Sequence, residues 1–163
     1  MQSISEMVAR MIDFYNGSLH DINHFIKVWT YAKTIGELEQ LDSETQFILE
    51  SAAVVHDISC PLCREKYGNA DGKRQEEESP VLVADFLKDT GMSAAQIDRV
   101  VYLVSHHHTL DNIQGLDYQI LIEADYIVNA DESSYSAENI ANFDNNIFKT
   151  KAGRSLLHSV FRF

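Results

Sequence analysis

Residues 52–58 of this chain are Ala-Ala-Val-Val-His-Asp-Ile, an apolar run that ends in an imidazole and a carboxylate. The small apolar residues before His56 are typical of a helix packed inside a protein core. A carboxylate in such surroundings is strongly destabilising unless it is paired, protonated or bound to a metal. Asp57 therefore needs a partner, and the pair His56-Asp57 is the first candidate for a functional site.

Helical periodicity extends from this run in both directions. Apolar residues recur at three- and four-residue steps over residues 5–15 and 21–40, where Asp21 offers an N-cap. Asp42 or Ser43 can cap the helix that ends at His56. Further helices are expected at about 76–88, from the Ser93 capping box toward His106, and at about 118–128, 137–142 and 152–161. The sequence predicts an all-α bundle of about six to eight helices.

A second buried carboxylate is expected at Asp125. Residues 119–122, Gln-Ile-Leu-Ile, could form a strand, but no hairpin signal lies nearby and an isolated strand would leave unpaired backbone groups. A helix from Tyr118 to Val128 is therefore expected, with Glu123 and Asp125 among its apolar residues. Asp125 needs a partner for the same reason as Asp57.

Composition and charge restrict the partners. The chain has 163 residues, of which 45% are hydrophobic, so residues 1–163 are expected to form one domain. Its 25 acidic and 13 basic residues give a net charge of −12, which argues against binding to duplex nucleic acid or to a membrane. No basic, apolar leader is visible, and we expect a cytoplasmic protein. A homodimer is compatible with the sequence.

The segment from Ser59 to Arg74 is predicted to be a loop that covers the site, because it contains Pro61, Gly68 and Gly72. Within it, Cys60 and Cys63 have the spacing of a redox motif or of half a zinc site. No second cysteine pair and no preceding strand accompany them, so reduced loop thiols are expected.

A metal ion would reconcile the buried ionisable groups. Two carboxylates and two imidazoles that meet in a protein interior repel one another or strand protons unless a dication binds between them. This mixture of ligands suits Fe, Mn, Ni, Co or Zn, with iron, manganese and nickel favoured, and two neutral imidazoles argue against Mg alone. Four protein ligands leave two positions of an octahedral ion for a water and a substrate oxygen.

Four sequence elements occur in order along the chain: H-x-x-K-V-W at residues 24–29, A-A-V-V-H-D-I at 52–58, H-H at 106–107 and E-A-D at 123–125. Together they resemble the motifs of the HD-domain superfamily of metal-dependent phosphohydrolases. The resemblance covers roughly residues 20–130 and leaves 131–163 as a helical extension. It implies an all-helical fold around a central metal site, with His24, His56, Asp57 and Asp125 as the metal ligands.

The chain departs from that pattern at three positions. Ser59 stands where members of the HD-GYP type have glycine followed by lysine, and Lys27 stands where arginine is common. Gln75 occupies the position of a histidine that binds a second metal in some relatives. One metal is therefore expected, and a second would depend on a glutamate or on His106 and His107.

The resemblance implies a phosphohydrolase that acts on a nucleotide or another small phosphoester through a metal-activated water. Asp57 would accept a proton, and His106 or His107 would stabilise charge or assist the leaving oxygen. Residues 106–108 cannot all face the site, since consecutive helical positions point about 100° apart. The candidate substrate-binding cations are Lys27, Arg64, Lys73 and Arg74.

Two other functions stay open at this point. Some proteins of this type resemble oxygenases with two irons, which need additional histidine ligands, and Gln75 counts against that function. The other alternative is a non-catalytic regulatory module that retains the metal for its structure.

Overall fold

The computed structural model describes residues 1–163 and contains nine α-helices and no strand. The predicted all-α class is confirmed, and residues 119–122 lie inside a helix. The number of helices exceeds the predicted six to eight because the presumed loop after Ser59 contains a helix of its own. The helices are α1 (Ile4–Phe14), α2 (Leu19–Leu38), α3 (Ser43–Val55), α4 (Cys60–Tyr67), α5 (Gly72–Leu87), α6 (Ala94–Val104), α7 (Leu116–Glu132), α8 (Ala137–Asn146) and α9 (Lys151–Phe161).

The prediction of a loop from Ser59 to Arg74 is wrong. Pro61 lies in the first turn of α4, where a residue without an N–H costs nothing and its fixed φ suits a helix. Gly68 ends α4 with a left-handed φ of 77°. Asp71 then caps α5, which begins at Gly72. Only the short connection between the two helices is irregular, so this segment offers no long flexible lid.

Cys60 and Cys63 are free, buried thiols in α4. Burial raises the pKa of both thiols, because a thiolate loses its hydration in the protein interior. A protonated thiol is a poor nucleophile and a poor metal ligand. The pair therefore contributes to packing, and the expected reduced state agrees with the structure.

Helix starts follow local capping chemistry. Asp42 caps α3, and Ser93 caps α6 through the predicted capping box. The expected cap of α2 is displaced, because this helix begins at Leu19, with Ser18 in the cap position. Asp21 lies in the first turn of α2 instead, where its carboxylate accepts a hydrogen bond from the Ser18 hydroxyl.

The centre of the fold is formed by α2, α3 and α7, which pack against one another, with α6 against α3. Helix α7 is buried on every side over residues 117–128. Large apolar side chains such as Phe25, Leu49 and Leu121 fill the space between these helices. Polar residues on their facing sides are consequently brought together in the interior. None of the nine helices combines the length and apolar composition needed to cross a membrane.

Glu123, on α7, is fully buried and holds the C-terminal part of the chain. Its Oε1 accepts hydrogen bonds from the backbone N–H groups of Lys149 at 2.7 Å and Thr150 at 3.0 Å. Gln119 Nε2 donates to the same oxygen at 2.8 Å, and the Thr150 hydroxyl donates to Oε2. The carboxylate accepts all four of these hydrogen bonds, and three of them come from Lys149 and Thr150, directly before α9. Glu123 therefore anchors the start of α9 to α7.

Replacement Glu123→Gln is expected to lower the free energy of unfolding by about 2 kcal/mol. The substituted amide presents N–H groups to a site lined by donors, which leaves at least one buried donor unsatisfied. Urea unfolding followed by circular dichroism measures this loss. The matched control is Glu65→Gln, at an exposed position of α4, which should change stability by less than about 0.5 kcal/mol. Equal stabilities of the two variants would contradict the anchoring role.

Candidate metal centre

The four side chains His24, His56, Asp57 and Asp125 meet where α2, α3 and α7 pack together. His24 lies in the second turn of α2, and His56 is the C-cap of α3, followed by Asp57 in the next turn. Asp125 lies midway along α7. Three of the side chains are buried, and that of Asp57 is 20% exposed, which makes it the member that solvent can reach.

Their ligand atoms are separated by distances that suit a single cation. His24 Nε2 lies 3.2 Å from His56 Nε2, 3.2 Å from Asp125 Oδ1 and 3.3 Å from Asp57 Oδ2. His56 Nε2 lies 3.4 Å from Asp125 Oδ1 and 3.5 Å from Asp57 Oδ2. Donor atoms about 2.1 Å from one ion are about 3.0 Å apart at right angles and about 3.4 Å apart in a tetrahedron. Two imidazoles and two carboxylates at these separations fit a divalent transition metal.

Hydrogen bonds from the Nδ1 atoms of His24 and His56 orient both rings toward the centre of the cluster. His24 Nδ1 donates to Glu132 Oε2 at 2.8 Å, and His56 Nδ1 donates to the Ala53 carbonyl at 2.8 Å. Both oxygens are acceptors only, so each Nδ1 carries a proton, and each Nε2 faces the cluster, where it can bind an ion once it has lost its own proton. Glu132 is itself held by Lys27 Nζ at 2.9 Å. The tautomers are those that metal-binding histidines require.

His24 and the two carboxylates of the cluster stabilise one another's charged forms. Burial disfavours the protonated ring of His24, but its hydrogen bond to Asp125 and the charge of Asp57 raise its pKa to about 9. Burial likewise opposes the ionisation of Asp57, but the charge of His56 and the contact with His107 lower its pKa. The pKa of Asp125 is also well below its usual range, because the hydrogen bonds from His24 and His56 outweigh its burial. Both carboxylates are therefore anions that attract a cation.

His107 approaches the cluster from the end of α6. Its Nδ1 donates to the Val104 carbonyl at 2.7 Å, while its buried Nε2 has no hydrogen-bond partner and lies 3.6 Å from Asp57 Oδ1. An unpartnered buried nitrogen costs about 1–3 kcal/mol, which a ligand at this point would recover. Burial opposes protonation of the ring, but Asp57 and Asp125 raise its pKa. His107 is thus placed to hold a proton or a ligand beside Asp57.

His108 forms a second group of possible metal ligands with Asp57 and His107, whose ligand atoms all lie within 4.8 Å of one another. Its Nε2 donates to Gln75 Oε1 at 3.1 Å, and Gln75 Nε2 donates to the Ala70 carbonyl. Burial and the charge of His107 lower the pKa of His108 to about 4, so its ring is neutral near pH 7. The sequence analysis missed this residue. A second ion here would share Asp57, with Gln75 behind His108.

The side chain of His106 does not point toward the metal cluster. Its Nδ1 donates to the Tyr102 carbonyl at 2.7 Å, and its ring stacks on Tyr102 with 4.2 Å between centroids. It belongs to neither group of ligands. The predicted alternatives His106 and His107 are therefore separated by the structure, which brings only His107 to the cluster.

The predicted substrate-binding cations surround the site without converging on it. Lys27 pairs with Glu132 at 2.9 Å, Arg64 with Asp21 at 2.6 Å, and Arg74 with Asp71 at 3.3 Å. Lys73 lies in the first turn of α5. Lys27 contacts the carboxylate that orients His24, so it also influences the metal cluster. None of the four lines the cavity that opens beside the cluster.

That cavity has a volume of about 240 Å³ and reaches the cluster at Asp125 and His107. Its far wall comes from α7 and α8 and includes Tyr126, Asn129 and Asn139. The sequence analysis missed this wall. Asn129 could have been found, because it follows Asp125 by one helical turn, but the contribution of α8 depends on how the extension folds back.

Comparisons with known proteins agree with this architecture. The family model of the HD domain matches residues 21–135, which include all four clustered residues. A crystal structure of a predicted HD superfamily hydrolase from an uncultured Thermotogales bacterium has a TM-score of 0.64 and 23% identity. The match covers 98% of this chain and 84% of that chain, and at this identity it shows a shared fold. No curated protein sequence matches this chain significantly. Since the family model spans well over half of its residues, the chain belongs to the HD-domain family.

Proposed function

We propose that this protein is a metal-dependent phosphohydrolase that releases phosphate from a nucleotide or another small phosphoester. The observation that carries the proposal is that the Nε2 atoms of His24 and His56 each lie 3.2–3.5 Å from one oxygen of Asp57 and one of Asp125, beside an open cavity. In this proposal His24, His56, Asp57 and Asp125 hold one divalent ion, of which Fe, Mn, Ni, Co and Zn suit the ligands. A solved structure that resembles this chain is named a predicted HD superfamily hydrolase, and this name supports hydrolysis as the class of reaction.

The ion would polarise a phosphoryl oxygen and promote ionisation of a water molecule for attack on phosphorus. Asp57 stays ionised, because neighbouring imidazoles lower its pKa, and this makes it a better ligand than general base. His107 is better suited to move a proton, since its unpartnered Nε2 lies at the cavity and its pKa is raised in the metal-free cluster. A cation bound beside it would lower that pKa again and so favour release of the proton. We therefore assign to His107 the proton given to the leaving oxygen.

A second candidate function is an oxygenase with two metal ions. The group formed by Asp57, His107 and His108 favours it, because it places ligands for a second ion next to the first group. Gln75 counts against it, because an amide stands behind His108 where some relatives have another histidine. Hydrolysis with one ion does not require His107 and His108 to bind a second metal.

The test combines metal analysis with an activity panel. Elemental analysis of the purified protein should find about one transition metal per chain, and chelation should abolish phosphate release from a panel of nucleoside monophosphates, sugar phosphates and p-nitrophenyl phosphate. Addition of Mn, Co, Ni or Fe should restore it. Bound metal without turnover of any phosphoester would overturn the proposal in favour of a regulatory module. Iron-dependent oxygen consumption would instead support the oxygenase.

A further inference from the structure

The cavity beside the metal cluster is lined by no lysine or arginine, although it is the place where a substrate would lie. Half of its ten lining residues are hydrophobic, and none is lysine or arginine. The chain as a whole carries a net charge of −12. A substrate with additional phosphate groups would have to place them here without a counter-charge, at a high cost in desolvation. The part of the substrate beyond its reacting phosphate should therefore be uncharged.

The shape of the cavity favours a planar group. Tyr126 and Phe143 stack on each other with 3.7 Å between centroids and 12° between planes. Tyr135 lies near the opening, 38% exposed, with its ring centroid 5.7 Å from that of Tyr126. Aromatic walls of this kind bind flat rings through large contact areas and offset stacking. The volume of about 240 Å³ limits the occupant to a small molecule.

Two asparagines that line this cavity have unpaired amide groups, which include an acceptor on Asn129 and a donor group on Asn139. Asn129 Nδ2 donates to Asp125 Oδ1 at 2.9 Å, and because a carboxylate can only accept, the Oδ1 of Asn129 is the atom left without a partner. Asn139 Oδ1 accepts from the Tyr126 hydroxyl at 2.5 Å, which leaves the Asn139 NH₂ group to donate. An occupant with both a donor and an acceptor on its edge would satisfy the two amides together.

Part of this wall lies outside the region that the HD family model matches. Asn139 and Phe143 are on α8, after residue 135. The match therefore covers the metal cluster but not the surface that would contact the rest of the substrate. This surface belongs to the helical extension of this chain.

We infer that the cavity is the leaving-group subsite and that the substrate is a phosphate monoester of an uncharged alcohol bearing a planar ring with a hydrogen-bond donor and acceptor. This inference rests on the proposed function. In the reaction, water attacks phosphorus, the bond from phosphorus to the alcohol oxygen breaks, and that oxygen takes a proton. Inorganic phosphate and the free alcohol are released. Asn129 and Asn139 are the specificity-determining residues.

The first test compares substrates on the metal-loaded wild-type protein. Nucleoside monophosphates and pyridoxine phosphate represent ring alcohols from two sources, glycerol phosphate lacks a ring, and nucleoside triphosphates add charge. We expect kcat/KM for at least one ring monoester to exceed that for glycerol phosphate and for the matching triphosphate by about tenfold or more. Equal or better use of glycerol phosphate or of triphosphates would overturn the inference while leaving phosphohydrolase activity intact.

The second test uses binding, which does not depend on turnover. Isothermal titration of the purified protein with uridine, cytidine, adenosine, guanosine and pyridoxine should detect at least one ring alcohol, whereas glycerol should not bind. If the protein binds a ring alcohol but hydrolyses no phosphoester, the result would support the subsite and refute the proposed function. If none of the five ring alcohols binds and glycerol phosphate is hydrolysed, the result would refute the subsite and leave the proposed function standing.

Variants of Asn139 connect the two tests to the structure. Asn139→Ala should lower the affinity for the ring alcohol, and kcat/KM for its monoester, by about tenfold, the effect of one neutral hydrogen bond. Asn139→Asp should weaken both further, because it replaces the donor with a charge. The matched control is Asn145→Ala, at an exposed position on the same helix and outside the cavity, which should change neither. Unchanged binding and kinetics in Asn139→Ala would overturn the role of this residue.

Discussion

Replacement of Asp57 by alanine is expected to remove the bound metal and to lower phosphate release by at least about a thousandfold. Asp57 belongs to both groups of possible ligands, with Oδ2 3.3 Å from His24 Nε2 and Oδ1 3.6 Å from His107 Nε2. Loss of the ion removes several kcal/mol of stabilisation from the transition state, and about 4 kcal/mol corresponds to roughly a thousandfold in rate. This is the largest effect that we expect from a single substitution.

Metal content per chain and kcat are measured together on the variant. Asp57→Asn keeps the shape of the side chain without its charge and should also bind metal poorly. Asp98→Ala, at an exposed position of α6, should retain both metal and activity. Circular dichroism and thermal unfolding establish that each variant is folded. Full activity of Asp57→Ala without metal would refute the proposed chemistry.

Replacement of Glu132 by alanine is expected to weaken metal binding by about 10- to 100-fold. Glu132 forms no hydrogen bond or ion pair with His56, Asp57 or Asp125, but it accepts the Nδ1 proton of His24 at 2.8 Å. Without that acceptor, the His24 ring is free to rotate or to change tautomer, and its Nε2 no longer presents a lone pair reliably. Competition with a chromogenic chelator measures the affinity.

Two companion variants separate this orienting role from simple loss of packing. Glu132→Gln keeps an oxygen that can accept from His24 and should recover most of the affinity. Lys27→Met removes the partner of Glu132 at 2.9 Å without touching His24. Because His24 keeps its acceptor in Lys27→Met, this variant should weaken metal binding less than Glu132→Ala does, and a higher KM would support the predicted contact of Lys27 with substrate. Unchanged metal affinity in Glu132→Ala would show that His24 needs no such support.

Much of the fold and of the candidate site could be predicted from local patterns. The Ser93 capping box and the continuous helix around Asp125 are confirmed, because they depend on residues a few positions apart. The grouping of His24, His56, Asp57 and Asp125 followed from their burial and from the family resemblance, and the structure brings these side chains together. The error at Pro61 has a local cause, since proline begins a helix as readily as it interrupts one.

Other features of the site depend on contacts between distant segments. Whether His106 or His107 faces Asp57 is set by where α6 ends and how it packs against α3, and no short-range pattern distinguishes the two. The orienting role of Glu132 requires α2 and α7 to lie side by side, 108 residues apart in the chain.

The amino-acid pattern specifies helices, an acidic surface and ionisable groups too deeply buried to stand alone, because hydrophobic periodicity and desolvation act on residues that are neighbours in sequence. The cavity, in contrast, depends on how distant helices pack together. Asn129 on α7 and Asn139 on α8 line the same space only because the extension packs back onto the metal-bearing helix. A binding surface consists of atoms adjacent in space, so its chemistry was set when the helices packed.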